Sequence, residues 1–506
     1  MDELRSKAMT GSAWMIGMKL SVNMLGMVST VILARLLTPE DFGLVALAGS
    51  VYVFFSLFGQ LGFDVPLIQM QQTDRSHYDT AWTANIMVGC TIATIMFIVA
   101  KPAAAFYNDS RIEYVVYAFS LLSLAKGFEN IGVVNFRKQL SFRGDFLYFV
   151  IPKLASMLIG VSAAFVLRSY WALVIGMVSD QFSRLVYSNL SQPFRPRFSL
   201  SRFRELFRFT KWVLGIKILR YLTFNGIEII LGRLQGPSAV GLYGKASLVA
   251  YMPSSEVAAP AKRALFPSFS TIASDTQRLR GAFVKVFAVV ILISMPAAFG
   301  ILAVAKPLIH VVLGEQWAAS GTILTVLALV GLLDVTNNLF EPVLVARAAL
   351  RPMVLVLATH AAVLVVSSIF LINHFGTIGA AYAMLLSAVA AMPLYIFAAR
   401  SEIGFTMSEL GRHLWRPLLS SLVMVAAVKL AEGFAVAPSG ATPVALVLLI
   451  ATGIVTYCTA LLALWWISGR PDFPELTLLQ SVATKFKRRT DANRHTKPPD
   501  APRGSA

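Results

Sequence analysis

A chain of 506 residues with 57% hydrophobic and 14% charged positions departs from soluble domains, which run near roughly 45–50% apolar and about 25% charged. So much apolar surface has to face lipid or other helices, which excludes a water-soluble fold. The formal net charge of +18 would suit a nucleic-acid binder, but the basic residues fall in alternate connections between apolar spans, and that placement excludes nucleic acid as the partner.

Crossing about 30 Å of hydrocarbon takes roughly 20 mostly apolar residues. In chain order that template predicts fourteen helical spans: 10–34, 43–69, 80–100, 114–134, 146–167, 170–190, 209–232, 240–260, 282–304, 322–345, 352–373, 377–399, 414–433 and 442–467. Helices are expected because unpaired backbone groups cannot face lipid and the runs are too long for barrel strands. Pro253 and Pro260 interrupt the eighth run. The polar start, with Asp2, Glu3, Arg5 and Lys7, leads into a full-length span and reads as no cleavable signal peptide. Cys90 and Cys458 are isolated in apolar runs, which excludes a disulfide framework or a paired-cysteine metal site.

The termini and even-numbered connections carry 30 Lys and Arg, the odd-numbered ones 7. Basic residues stay on the cytoplasmic side, so both termini and the basic, Pro-bearing linker 191–208 are expected there. The tail 469–506, with Lys485, Lys487, Arg488 and Arg489, reads as a disordered cytoplasmic extension that sets topology or touches anionic lipids.

A shift of 198 residues lays the start of the chain on its middle. Trp14, Gly17, Lys19, Ile32, Leu33, Arg35, Leu36, Pro39, Gly43, Leu44 and Ala48 meet identical residues at Trp212, Gly215, Lys217, Ile230, Leu231, Arg233, Leu234, Pro237, Gly241, Leu242 and Ala246. Six spans separate the copies, so they run in the same direction. Parallel repeats of this kind place a transporter's substrate between two halves. The expected fold is an all-α polytopic membrane protein of about 14 transmembrane helices, two parallel six-helix repeats plus two C-terminal helices. Its lobes are 1–207 and 208–405, followed by helices 13–14 over 406–468 and then the tail.

No nucleotide loop, zinc-hydrolase motif, nucleophile elbow or histidine–carboxylate cluster is present. Neither an enzyme nor a resident metal or cofactor is expected. The chemistry lies in charges inside the spans. Each costs about 2.5–3.5 kcal/mol at a helix centre and so usually faces a cavity. Span 7 carries Lys217, Arg220, Tyr221, Asn225 and Glu228 on one face. Span 1 carries Lys19 with Asn23, span 5 carries Lys153, and the repeat pairs Lys19 with Lys217. Lys19, Lys217, Arg220 and Lys153 thus outline a cationic cavity for an anionic head group, with Asn23, Tyr221, Asn225 and Glu228 as polar or ion-coupling positions. The alternative is that these cations pair with Glu228, Glu256 or Asp334 and hold helices together. Asp180 and Arg184 read as a structural pair, and Lys126 and Glu129 as residues snorkelling at a span end. Lys245 reads as lying at a cavity mouth or in the head-group layer.

The stretch Ala34-Arg-Leu-Leu-Thr-Pro-Glu-Asp-Phe-Gly-Leu44 resembles the start of Wzx-type polysaccharide flippases. So do Leu61-Gly-Phe-Asp-Val-Pro-Leu-Ile-Gln69, Gly232-Arg-Leu-Gln-Gly-Pro-Ser-Ala-Val-Gly-Leu-Tyr243 and Leu265-Phe-Pro-Ser-Phe-Ser270. These flippases form the polysaccharide transporter branch of the multidrug/oligosaccharidyl-lipid/polysaccharide exporter superfamily. The resemblance implies a V-shaped two-lobe exporter in the bacterial inner membrane. Its cargo would be an oligosaccharide on polyprenyl (undecaprenyl) diphosphate, passing by alternating access to the periplasmic leaflet for exopolysaccharide, capsule or O-antigen synthesis. It implies work beside glycosyltransferases and a polymerase, and with no nucleotide site transport would draw on an ion gradient, H+ or Na+, or on the cargo's own gradient. Where the family often has Asp late in span 7 this chain has Glu228, which leaves ion coupling there open. A lipid II flippase and a multidrug or cation exporter are the alternatives within the superfamily. A membrane polysaccharide polymerase would carry a larger periplasmic loop than any here.

Overall fold

A computed structural model describes residues 2–59, 67–68, 70, 73–139, 141–203, 214–258, 269–435 and 441–469. Most of 61–69 and 265–270, the linker residues 204–208 with the 207/208 boundary, Trp212, and the tail beyond 469 lie outside the described residues.

Thirteen long helices follow one another among the described residues: α1 Asp2–Leu36, α2 Pro39–Gly59, α3 Arg75–Tyr107, α4 Arg111–Gly127, α5 Phe142–Leu167, α6 Trp171–Ser191, α7 Leu214–Ala250, α8 Thr276–Val312, α9 Ala318–Ala346, α10 Leu350–Phe375, α11 Thr377–Ile403, α12 Met407–Ala435 and α13 Pro443–Ile467. Ten of the described helices are long and apolar enough to cross a membrane. The molecule is an all-helical polytopic membrane protein.

The sequence dictates the breaks. Between α1 and α2, Thr38 caps the new helix. Its backbone N–H donates to the Asp41 carboxylate (2.9 Å), and the Asp41 N–H donates back to Thr38 Oγ1 (3.3 Å). Pro39 fills the first helical position, where its missing N–H costs nothing. In the second copy Gly236 replaces that threonine. Its φ of 80° is left-handed and bends α7 into two arms, and Pro237 opens the second arm. The predicted spans 7 and 8 are these two arms. Asp74 caps α3, and hydrogen bonds from Ser76 and His77 hold its carboxyl well below the usual carboxylate range. The linker then lies along the start of α3. The N–H groups of Arg197, Ser199 and Arg202 donate to Asp79 (2.8 Å), Thr83 (2.9 Å) and Thr80 (3.3 Å).

In lipid, helix association rests on close packing rather than on escape from water, so small residues mark the tightest contacts. Among the described glycines the tightest joins α2 to α7. A Cβ at Gly43 would fall on the carbonyl of Pro237, and a Cβ at Gly241 would fall on the carbonyl of Pro39. These four positions are two pairs offset by 198 residues, so each repeat closes on the other through the same residues. Leu44, Leu47, Ala48, Leu231, Val240 and Ala246 are buried around this contact and continue into a core shared with α3, α4 and α8–α11. On the same face Arg35 donates to the last carbonyls of α8, Val311 (2.5 Å) and Val312 (3.4 Å). Its repeat equivalent Arg233 lies at the end of α3, 2.7 Å from the side-chain amide of Asn108 and over the Phe106 ring. A cation at a helix C-terminus meets the negative end of the helix dipole. Trp317, fully buried, donates from Nε1 to the Ala34 carbonyl at 2.8 Å. Residues of both halves thus close the α1–α2 face. Helices α12 and α13 lie outside this arrangement against α8, where Tyr457 donates to the Leu292 carbonyl at 2.8 Å.

Candidate functional site

The intramembrane charges of α1 and α7 meet opposite halves of the molecule. Lys19 reaches from α1 to Glu256 at 3.0 Å, and the Asn23 amide donates to the same carboxylate at 3.3 Å. Glu256 sits on a π-helical turn, Ser254–Ala258, just beyond the second arm of α7. Such turns recur at functional sites. Both partners stay well exposed, 39% for Lys19 and 49% for Glu256. Lys217 makes the reciprocal crossing. From α7 it lines a cavity walled by α2, α3, α4 and α5, and Ser56 lies on the same wall. The offset of 198 makes Ser56 the counterpart of Ser254, which donates to Asp334 (2.5 Å) beside Asn338.

The polar stripe of α7 fans out rather than facing one space. Arg220 turns to α9 and forms an ion pair with Glu341, whose side chain is only 11% exposed. Tyr221 turns the other way, buried, and donates to the Ser50 carbonyl at 2.8 Å, while Ser50 Oγ lies 3.3 Å from the Tyr107 hydroxyl. Asn225 hydrogen-bonds to Glu228, which lies within electrostatic reach of the phenols Tyr107, Tyr221, Tyr243 and Tyr251. Lys153 lies against Gly26 of α1. Lys245 stands 3.8 Å over the ring of Phe42.

Sequence reasoning missed two groups. Glu341 carries no periodic signal in span 10, and only the packing of α7 on α9 makes it the partner of Arg220. Glu129, expected to snorkel, turns inward instead and accepts hydrogen bonds from Tyr148 (2.7 Å) and Gln181. Its place at the end of α4, where the chain turns back into the bundle, explains the difference. Asp180 and Arg184 form the expected pair at 2.9 Å.

These geometries separate structural from available charge. Removing one partner of a buried pair costs about 3–5 kcal/mol because the other charge is stranded, whereas an exposed pair contributes about 0–1 kcal/mol. Arg220→Ala is therefore expected to lower thermal stability and membrane abundance. Arg220→Gln combined with Glu341→Gln should restore both, since both charges of the pair are then removed together. Detergent-solubilised melting curves check this, and an unchanged melting point in Arg220→Ala would remove the structural role.

Comparison with known proteins places these features in a family. Residues 32–322, more than half of the chain, match the model for the family described as polysaccharide biosynthesis protein. The succinoglycan biosynthesis transport protein ExoT of Rhizobium meliloti is 28% identical over 318 residues, 62% of this chain. That alignment spans 64% of ExoT, just under two thirds of its length. The lipopolysaccharide biosynthesis protein WzxC of Escherichia coli is 25% identical over 68% of this chain and 71% of its own. Among solved structures, the lipid II flippase MurJ in an inward closed conformation superposes with a TM-score of 0.73 at 12% identity, covering 90% of this chain and all of that one. An inward-facing multidrug MATE transporter gives 0.55 at 12% identity, covering 76% and 96%. The helices follow the MurJ and MATE fold, and the chain belongs to the Wzx-type polysaccharide biosynthesis family of multi-pass membrane transport proteins.

Proposed function

We propose that this protein flips an oligosaccharide linked to polyprenyl diphosphate from the cytoplasmic to the periplasmic leaflet, by alternating access between two six-helix lobes. The carrying observation is the reciprocal crossing of the repeat-equivalent lysines. Lys19 meets the second half at Glu256, and Lys217 meets the first half beside Ser56. Both lie away from the face closed by Pro39, Gly43, Pro237 and Gly241. A diphosphate suits two such lysines, because charge-assisted hydrogen bonds to ammonium groups are stronger than neutral ones. The contacts at 39/43 and 237/241 support lobes related by a two-fold along the membrane normal. The charge bias of the connections supports cytoplasmic termini, which makes the closed face periplasmic and this state open toward the cytoplasm. Glu228, with Asn225 and four phenols within electrostatic reach, is the position through which H+ or Na+ coupling would run. The cargo would come from glycosyltransferases and pass to a polymerase.

Reconstituted in proteoliposomes, the protein should move undecaprenyl diphosphate-linked oligosaccharide between leaflets. Movement of lipid II or of a drug cation, with none of the oligosaccharide carrier, would replace the reading. Orientation has its own check. A cysteine at Phe198, which is 72% exposed, placed in a chain with Cys90 and Cys458 changed to serine, should be labelled only from the cytoplasm. Labelling only from the periplasm would invert the topology.

A further inference from the structure

The cavity that Lys217 enters is more than a socket for that lysine. It measures about 420 Å³, within the roughly 300–1,000 Å³ of small-molecule sites. Its back is set by close contact between α3 and α4 at Gly89 and Gly127. The polar lining alternates in sign and type. Tyr52, Asn85, Lys126, Tyr148 and Lys217 face a space shared with Glu129 and the Arg137–Asp145 ion pair (3.3 Å). Much of this wall is fixed from behind. Glu129 is held by Tyr148 and Gln181, and the guanidinium groups of Arg137 (5.5 Å) and Arg184 (5.3 Å) both lie over the Phe149 ring. Two groups are unspent: among the described residues the side chains of Asn85 and Lys126 make no hydrogen bond or ion pair.

That chemistry selects a ligand class. A bare phosphate would call for cations without carboxylates, yet Glu129 and Asp145 lie among the cations. A drug cation would call for an unbalanced acid, whereas both acids already have partners. A sugar ring carries hydroxyl groups that each donate and accept. It needs an amide, which does both, beside an ammonium donor, with ring surfaces for its C–H faces. We infer that this cavity is a subsite for the sugar attached to the diphosphate, with Asn85 and Lys126 as its hydrogen-bonding residues and Tyr52 and Tyr148 as its walls. The inference rests on the flippase reading, and Lys217 ties the two sites together by standing at the cavity while belonging to the diphosphate pair.

The test uses the full-length protein in nanodiscs with two probes, undecaprenyl diphosphate and undecaprenyl diphosphate-linked hexose, with binding followed by native mass spectrometry. The wild type is expected to prefer the glycosylated probe about tenfold. Asn85→Leu and Lys126→Met, each with an unchanged melting point, should bind the bare carrier as the wild type does and lose that preference. Lys126 is exposed, so Lys126→Met keeps the test informative if Asn85→Leu fails to fold. A preference that survives both substitutions would overturn the subsite, as would a wild type that binds both probes equally. A wild type that binds neither probe would instead sink the flippase reading itself.

Discussion

Gly43→Ala is expected to abolish export while leaving the protein folded in the membrane, and Gly241→Ala should do the same. The added Cβ falls on the Pro237 or the Pro39 carbonyl respectively. Backbone cannot swing aside as a side chain can, so α2 and α7 must separate. Overpacking of this kind costs about 1–3 kcal/mol or more, and each 1.4 kcal/mol is about tenfold in an equilibrium. A closed state favoured by a similar margin therefore becomes the minority. A carrier that cannot close one face cannot alternate. Gly17→Ala is the control, because nothing lies within 4 Å of its Cβ position, and export should stay near the wild-type level. A reporter cysteine at Leu47, fully buried against Gly232, reads the conformation. It should be inert to maleimide in the parent chain and reactive in Gly43→Ala. Normal export with a still-inert reporter would show that this contact is not the closing surface.

Much of that contact was legible in the sequence. The 198-residue offset set Pro39 and Gly43 on Pro237 and Gly241, although the second span was expected from 43 and α2 opens at Pro39. What the sequence could not supply was facing. Arg220 and Tyr221 are adjacent on α7 and read as one stripe, yet their partners, Glu341 and Ser50, lie in different halves of the molecule. Which neighbour a helix face meets depends on packing more than a hundred residues away in sequence, and no local period encodes it. The spans that fail the test of apolarity and length are themselves informative. α4, α6 and α7 are absent from the ten membrane-crossing candidates, and they carry Lys126, the Asp180–Arg184 pair, and Lys217, Arg220 and Glu228. Lys126 and Lys217 line the cavity, so two of these three helices wall the polar interior.

The second large effect is expected at Lys19 and Lys217. In the free protein Glu256 holds Lys19, but both side chains are well exposed, and an exposed pair contributes only about 0–1 kcal/mol to stability. Lys19→Ala should therefore leave the melting point nearly unchanged, in contrast to Arg220→Ala, whose partner Glu341 is buried. On the proposed function the same substitution would remove a charge-assisted hydrogen bond to the diphosphate, worth about 1.5–3 kcal/mol, and so should weaken carrier binding about tenfold to a hundredfold. Lys217→Ala should match it, as the repeat equivalent, and the double variant should fall below either alone. Lys19→Arg and Lys217→Arg keep the charge and should retain most export. Glu256→Gln separates a competitor from a scaffold: it frees Lys19, so carrier binding should tighten, whereas a purely structural pair would give lower stability and no gain in binding. Polysaccharide export, membrane abundance and binding of undecaprenyl diphosphate, measured on the same set of variants, distinguish these outcomes. Wild-type export with Lys19 and Lys217 both neutralised would show that the diphosphate is recognised elsewhere.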